Sequence, residues 1–266
     1  MRIRAAIGIL AALAVEPAAA GALAPACTNE VRQDRLAGLT AQGDLVLETE
    51  LLAKLSGIRL PDGPPYRQQA LDWLKARIDQ PLLVSVQGHR DRWDRRSLRA
   101  RLAQGQGFDL GHGLVEAGLA VVDAGTDQVF CQPELLAFEE TARERRLGLW
   151  ADGRYNPILA EQTERLKERV GSFAIVEGRV RSIGERKRRT YLNFGGHWAE
   201  DFTIIIPRQT WMRMAERGIS ANSLKGRILR ARGILQSWQG TALTIDLPEM
   251  IEHLEGEGLR GDRDED

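Results

Sequence analysis

From Gly43 to Leu60 the chain reads GDLVLETELLAKLSGIRL, short apolar runs alternating with polar positions and interrupted at Glu48–Glu50. A period of two predicts two or three strands, a hairpin followed by an inner strand that runs into a turn at Pro61–Gly63. The period then changes. Ala70, Leu71, Leu74 and Ile78 recur at helical spacing within 65–80, which predicts an amphipathic helix with Pro65 at its start. PLLVSVQG (81–88) and SLRARLAQ (97–104) read as strands joined by a charged hairpin tip, HRDRWDRR. Residues 109–122 predict a short helix ending at Gly118 and then a strand. Residues 133–150 predict a longer helix, with proline in its first turn, glutamate early, arginine late and Gly148 as its stop. Strands interrupted by helices over about 110 residues predict an α+β unit, mainly β: a small closed barrel with helices packed outside.

ADGRYNPILAEQ (151–162) breaks this pattern, and TERLKERVGS (163–172) reads as a connecting helix. Five β-segments follow within 173–254, with the helical piece QTWMRMAERG (209–218) before the fourth. The expected organisation is a barrel domain over 38–152, a linker helix over 153–170, a second small barrel over 171–254 and a disordered charged tail at 255–266. No sequence repeat relates the two halves.

The first 26 residues add a destination. Two arginines, an Ala/Ile/Leu run and A-x-A sites have the layout of a secretory signal peptide, cleaved after Ala20, Ala24 or Ala26. The expected protein is exported, periplasmic or secreted, and off the membrane once processed. Two alternatives stay open: an uncleaved anchor, and lipidation at Cys27 within APAC, where Ala stands in place of the Leu of a lipoprotein site. The chain has two cysteines, Cys27 and Cys131, and in an oxidising compartment an isolated pair is most simply a disulfide. Lys plus Arg equals Asp plus Glu at 37 each, so any attraction to a polyanion must be local. The histidines at 89, 112, 197 and 253 are scattered and show no zinc-ligand spacing.

In this order and spacing, GD at 43–44, KLSGIRLPD at 54–62, DRWDR at 91–95, GLVEAGLAVV at 113–122 and PELLAFEETARERRLGLW at 133–150 resemble the thermonuclease, or staphylococcal nuclease-like, family. That resemblance implies an oligonucleotide-binding-type barrel and calcium-dependent hydrolysis of nucleic-acid phosphodiesters. Such a site needs carboxylates for a hard cation, a carboxylate to orient water, and guanidinium groups to clamp the phosphate. Carried over residue by residue, the first metal aspartate falls on Asp44 and the preceding one on Gln42. The clamping arginines fall on Lys54 and Arg95, and the water-activating glutamate on Asp62. Trp93 replaces the usual tyrosine. The second metal aspartate falls on Arg59, and this reverses a charge.

A guanidinium a few ångströms from a divalent ion repels it by several kcal/mol, even at an effective dielectric of about 20. Arg59 is therefore expected to pair with Asp44 or Asp62, leaving Asp44 and Asp62 a poor calcium cage. Lys54, Arg59 and Arg95 then suit an anion. Lys54, Asp62 and Arg95 are the candidate catalytic residues. Asp44 and Asp62 are the candidate metal ligands, with Ca²⁺ as the implied cation.

Arg59 in the pocket, Arg92 and Trp93 in the first hairpin tip, and Arg186, Lys187, Arg188, Tyr191 and Phe194 in the second unit are candidate nucleic-acid contacts, because cations beside aromatics serve single strands. The expected partner is single-stranded nucleic acid or another polyanion. Binding with impaired hydrolysis is the reading the residues favour. The alternatives are an active nuclease with an unusual site and an envelope interaction module.

Overall fold

The computed structural model describes residue 27 and residues 30–87, 90–104, 107–125, 129–197 and 200–254. The expected signal segment and the expected tail lie outside the described residues. The first unit is a closed barrel of β1 (Val31–Leu39), β2 (Leu45–Leu47), β3 (Leu52–Leu55), β5 (Pro81–Gln87) and β6 (Arg96–Leu102). The strands pair in the order β1-β2-β3-β6-β5, and β3 with β6 is the parallel pair. Alternation sets the faces: Ala53 and Leu55 are buried, while Lys54 between them is half-exposed. The barrel is filled by Leu36, Leu45, Leu47, Leu82, Val84, Leu98 and Ala100. Its first strand begins at Val31, ahead of the expected start at Gly38.

Three helices cover the barrel: α1 (Tyr66–Lys75), α2 (Leu110–Glu116) and α3 (Leu135–Glu144). Asp109 caps α2, its Oδ1 accepting from the Gly111 and His112 amides at 2.9 and 3.1 Å. A two-stranded ladder, β4 (Ile58–Arg59) with β7 (Val121–Val122), lies beside the barrel and carries Arg59. Its end is held by a close backbone approach. Leu149 N–H donates to Gly118 O at 2.9 Å, and a Cβ on Gly148 would stand 2.2 Å from that oxygen.

The second unit contains β8 (Ile158–Leu159), α4 (Thr163–Glu168), β9 (Phe173–Arg179), β10 (Ser182–Glu185), β11 (Arg189–Asn193), β12 (Phe202–Pro207), α5 (Arg208–Glu216), α6 (Ala221–Leu224), β13 (Ile228–Ser237), β14 (Thr241–Thr244) and β15 (Ile251–Leu254). The expected second small barrel is not closed by strand pairing. The strands make one eight-stranded sheet, ordered β10-β11-β12-β14-β13-β9-β8, with β15 added beside β13. The physical reason lies at β9: β8 and β13 occupy its two edges, and the ladder is interrupted at Val180–Arg181 before β10 begins. The expected linker helix is therefore a strand plus the short α4.

The units share a charged, buried interface. Arg232, fully buried on β13, donates to Glu139 of α3 and to Glu252 of β15. Arg230 bonds Glu177 at 2.6 Å and reaches Glu140. Glu139 also accepts from Val122 N–H at 2.7 Å, so one carboxylate ties the second unit to the ladder that carries Arg59. Burial pushes the Arg232 guanidinium down, but the charges of Glu139 and Glu252 outweigh it and hold the group above the ordinary arginine range. Val121, Ala142, Leu149 and Trp150 of the first unit and Phe173 and Ile175 of the second form one buried apolar cluster.

Cys27 and Cys131 form the expected disulfide, with Cα atoms 5.4 Å apart. A lipid thioether on Cys27 is incompatible with this bond, because both would consume the same sulfur. No helix among the described residues is long and apolar enough to cross a membrane.

Candidate functional site

Two connections meet at one end of the barrel, the turn from β1 to β2 and the hairpin from β5 to β6. In the first, Gly43 takes a φ of +86°, and a Cβ there would stand 2.6 Å from Leu60, so a glycine lets the turn pack under β4. The turn presents Asp44, which is buried; its amide donates to Thr40 Oγ1 at 3.0 Å. In the second, Asp91 Oδ1 accepts from the Trp93 and Arg95 amides at 2.9 and 3.1 Å, an aspartate turn that aims Arg95 inward.

Arg95 closes the two together. Its Nε and Nη2 donate to Asp91 Oδ2 at 2.9 and 2.8 Å, and its Nη1 donates to Asp44 Oδ1 at 2.9 Å. Burial pushes the Asp91 carboxyl up, but the hydrogen bonds and charge of Arg95 outweigh it and hold the group below the usual aspartate range. Arg59 does not pair with Asp44 or Asp62 as expected. Its Nε donates to Asp123 Oδ2 at 2.8 Å, and its guanidinium lies 5.3 Å from the Phe173 ring of the second unit. Arg67 donates to the carbonyls of Pro61 and Gln42 at 2.9 and 2.7 Å.

These groups line a cavity of about 490 Å³. Lys54 and Asp62 line it too, and among the described residues neither has an ion-pair partner. At its mouth Trp93 is 56% exposed, with the guanidinium of Arg92 3.9 Å and that of Arg95 4.7 Å from the ring. The expectation of a positively charged pocket needs correction. Lys54, Arg59, Arg67 and Arg95 face Asp44, Asp62, Asp91 and Asp123, a balance of charge. Sequence reasoning missed Asp91, Asp123 and Arg67, although DRWDR contains Asp91.

Residues 53–152 match the family described as "Staphylococcal nuclease homologue". The match takes in most of the barrel unit, which with β1 and β2 ahead of it is a staphylococcal nuclease-like domain. The probable endonuclease of Schizosaccharomyces pombe is 29% identical over an alignment covering 43% of this chain and 55% of that protein. The chain thus spans about half the length of the curated relative it matches.

A calcium ion does not fit the donor set that the nuclease-like domain presents. Among the described residues, no three acidic, histidine or cysteine side chains come together as ligands. Asp44, expected to lead the metal cage, instead accepts from Arg95, and Arg59 stands where a second carboxylate is expected. Arg95, expected as a free phosphate clamp, spends its fork on Asp91 and Asp44. The residues present are those of an internally neutralised pocket.

Beyond the nuclease-like domain, Arg186, Lys187 and Arg188 form the exposed tip between β10 and β11. Tyr191 is half-exposed on β11. Phe194 is not available to a base: it is buried, 5.1 Å from the Phe202 ring, and it leaves no room for a Cβ on Gly178. Three residues along an extended strand separate opposite faces, so an outward Tyr191 sends Phe194 inward.

Proposed function

We propose that this protein binds single-stranded nucleic acid and does not cleave it by calcium chemistry. The observation that carries the reading is the three-way contact of Arg95 with Asp44 and Asp91, which occupies the expected leading metal carboxylate and the expected phosphate clamp at once. Support for nucleic acid as partner comes from the nuclease-like domain and from Arg92 stacked on the exposed Trp93 at the cavity mouth. We read the second unit as an opened oligonucleotide-binding-type barrel, on the strength of its parallel β12·β14 pair at the place of β3·β6. The Cys27–Cys131 bond supports export into an oxidising compartment, the destination expected from residues 1–26.

One observation favours a second reading. Lys54 and Asp62 line the same cavity with no ion-pair partner among the described residues, so a phosphodiester there would meet a cation and a carboxylate able to orient water. Fluorescence anisotropy of a labelled single strand, in EDTA and in Ca²⁺, tests the main reading. It expects equal affinity in both. Binding that requires Ca²⁺ would contradict it.

A further inference from the structure

The two units pair their strands by one scheme. In the first, an initial strand pairs with the next two in series, the third lies parallel to the last, and the last two form a hairpin that returns to the first strand. In the second, β10, β11 and β12 pair in series, β12 lies parallel to β14, and β14 and β13 form a hairpin that returns to β9. Only Val180 and Arg181 separate β9 from β10, and both take part in the join: Val180 N–H donates to Arg227 O and Arg181 N–H to Asn193 O, each at 2.9 Å.

The scheme fixes which connections share an end. In the nuclease-like domain, the turn after the first strand and the hairpin between the last two meet through Asp44 and Arg95. Their counterparts in the second unit are the Arg186–Arg188 tip and the β13–β14 turn at Trp238–Gly240. These also meet, because the Arg189 guanidinium lies 5.8 Å from the Trp238 ring. In barrels of this type that pair of loops is where oligonucleotides lie.

The charge at the two ends differs. The first end is internally compensated. At the second, Arg186, Lys187, Arg188, Arg189 and Arg208 are exposed, and among the described residues none has an acidic partner. The backbone of the tip is nevertheless held: Arg186 N–H donates to Arg189 O at 2.9 Å, Arg208 N–H to Arg188 O at 3.0 Å and Arg208 Nη1 to Lys187 O at 3.2 Å. Trp238 is 40% exposed beside them.

We infer that the Arg186–Arg189 tip with Arg208 and Trp238 is the principal single-strand binding site of the protein. The cations track phosphates, and Trp238 offers a face for a base. This rests on the nucleic-acid reading above and moves most of the affinity to the second unit.

The test is anisotropy of a fluorescein-labelled oligothymidylate of about 20 nucleotides, longer than the roughly 4–16 one such barrel covers. The full chain is compared with Arg186→Ala/Lys187→Ala/Arg188→Ala, Trp238→Ala and Lys75→Ala. The triple variant should bind at least about tenfold more weakly, and its log–log salt slope should be shallower by about 2, at roughly 0.7 per lost phosphate contact. Lys75→Ala, an exposed cation on α1 away from the cavity, should change affinity less than about threefold, well below the cost of one stacked base. Trp238→Ala should weaken binding of oligothymidylate but not of a heparin fragment. Binding by the parent with no loss in the triple variant would overturn this site and leave the nucleic-acid reading standing. No binding by the parent would overturn both. Equal effects of Trp238→Ala on oligothymidylate and heparin would reduce the site to a charge patch and overturn its assignment to nucleic acid.

Discussion

Arg95 Nη1 lies 2.9 Å from Asp44 Oδ1. The two residues that a hydrolytic site would set on opposite partners, one on a cation and one on a phosphate, are here bonded to each other. With Asp91 on the remaining face of the guanidinium and Asp123 on Arg59, three of the four carboxylates lining the cavity have arginine partners.

Arg59→Asp removes a cation from this balance and adds a carboxylate beside Asp123. With the Arg59 side chain 36% exposed, losing the pair costs less than a fully buried one, about 1–2 kcal/mol. Thermal unfolding in EDTA should show that loss. Calcium should raise the Tm of the variant, because binding to the folded state alone stabilises it, and should leave the parent unchanged. An equal calcium shift in the parent would show that its carboxylates are free.

Acid should release the same clamp. Asp91 titrates below the ordinary aspartate value of 3.8, so its pairing with Arg95 adds stability that is complete above that value and is lost as pH falls through the lower folded value. Asp91→Asn should flatten that part of the stability profile below about pH 4, measured by urea unfolding at stepped pH.

The barrel was legible where its strands are half-buried. Leu45 and Leu47, or Ala53 and Leu55, alternate with more exposed neighbours, and that alternation is the signal. β1 carries no such signal, because VRQDRLAGL buries only Leu36. It is a strand because β2 and β5 offer hydrogen bonds on its two edges, which is non-local information. The site divides in the same way. Asp44, Lys54, Arg59, Asp62 and Arg95 do line one cavity. The partner of Arg59 lies 64 residues on, brought near by the β4·β7 ladder, and no local pattern points to it.

Phe194 and Tyr191 separate packing from binding. Phe194→Ala should cost about 3–5 kcal/mol in urea unfolding, as expected for a buried phenylalanine, and leave oligothymidylate affinity within about twofold. Tyr191→Ala should leave stability within about 0.5 kcal/mol and weaken binding about fivefold or more, the lower end of one stacked base. The reverse pattern would put Phe194 back at the surface.

Arg232→Met leaves the fully buried Glu139 with only Arg143 at 3.6 Å and the Val122 amide, and should destabilise the protein by about 2–4 kcal/mol. Because Glu139 also holds Val122, the loss should reach the first unit: amide exchange of Val122 and Asp123 should accelerate along with that of β13. Acceleration confined to β13 would mean that the interface does not support the cavity.

The most direct test is to incubate the purified full chain with single-stranded DNA, follow binding by anisotropy, and resolve the same samples on a denaturing gel, in Ca²⁺ and in EDTA. The expected result is bound, intact DNA with one affinity in both conditions. Fragments that appear only in Ca²⁺ and vanish with Asp62→Ala would contradict it, and would show that Asp44 and Asp62 hold a working cation despite Arg95 and Arg59.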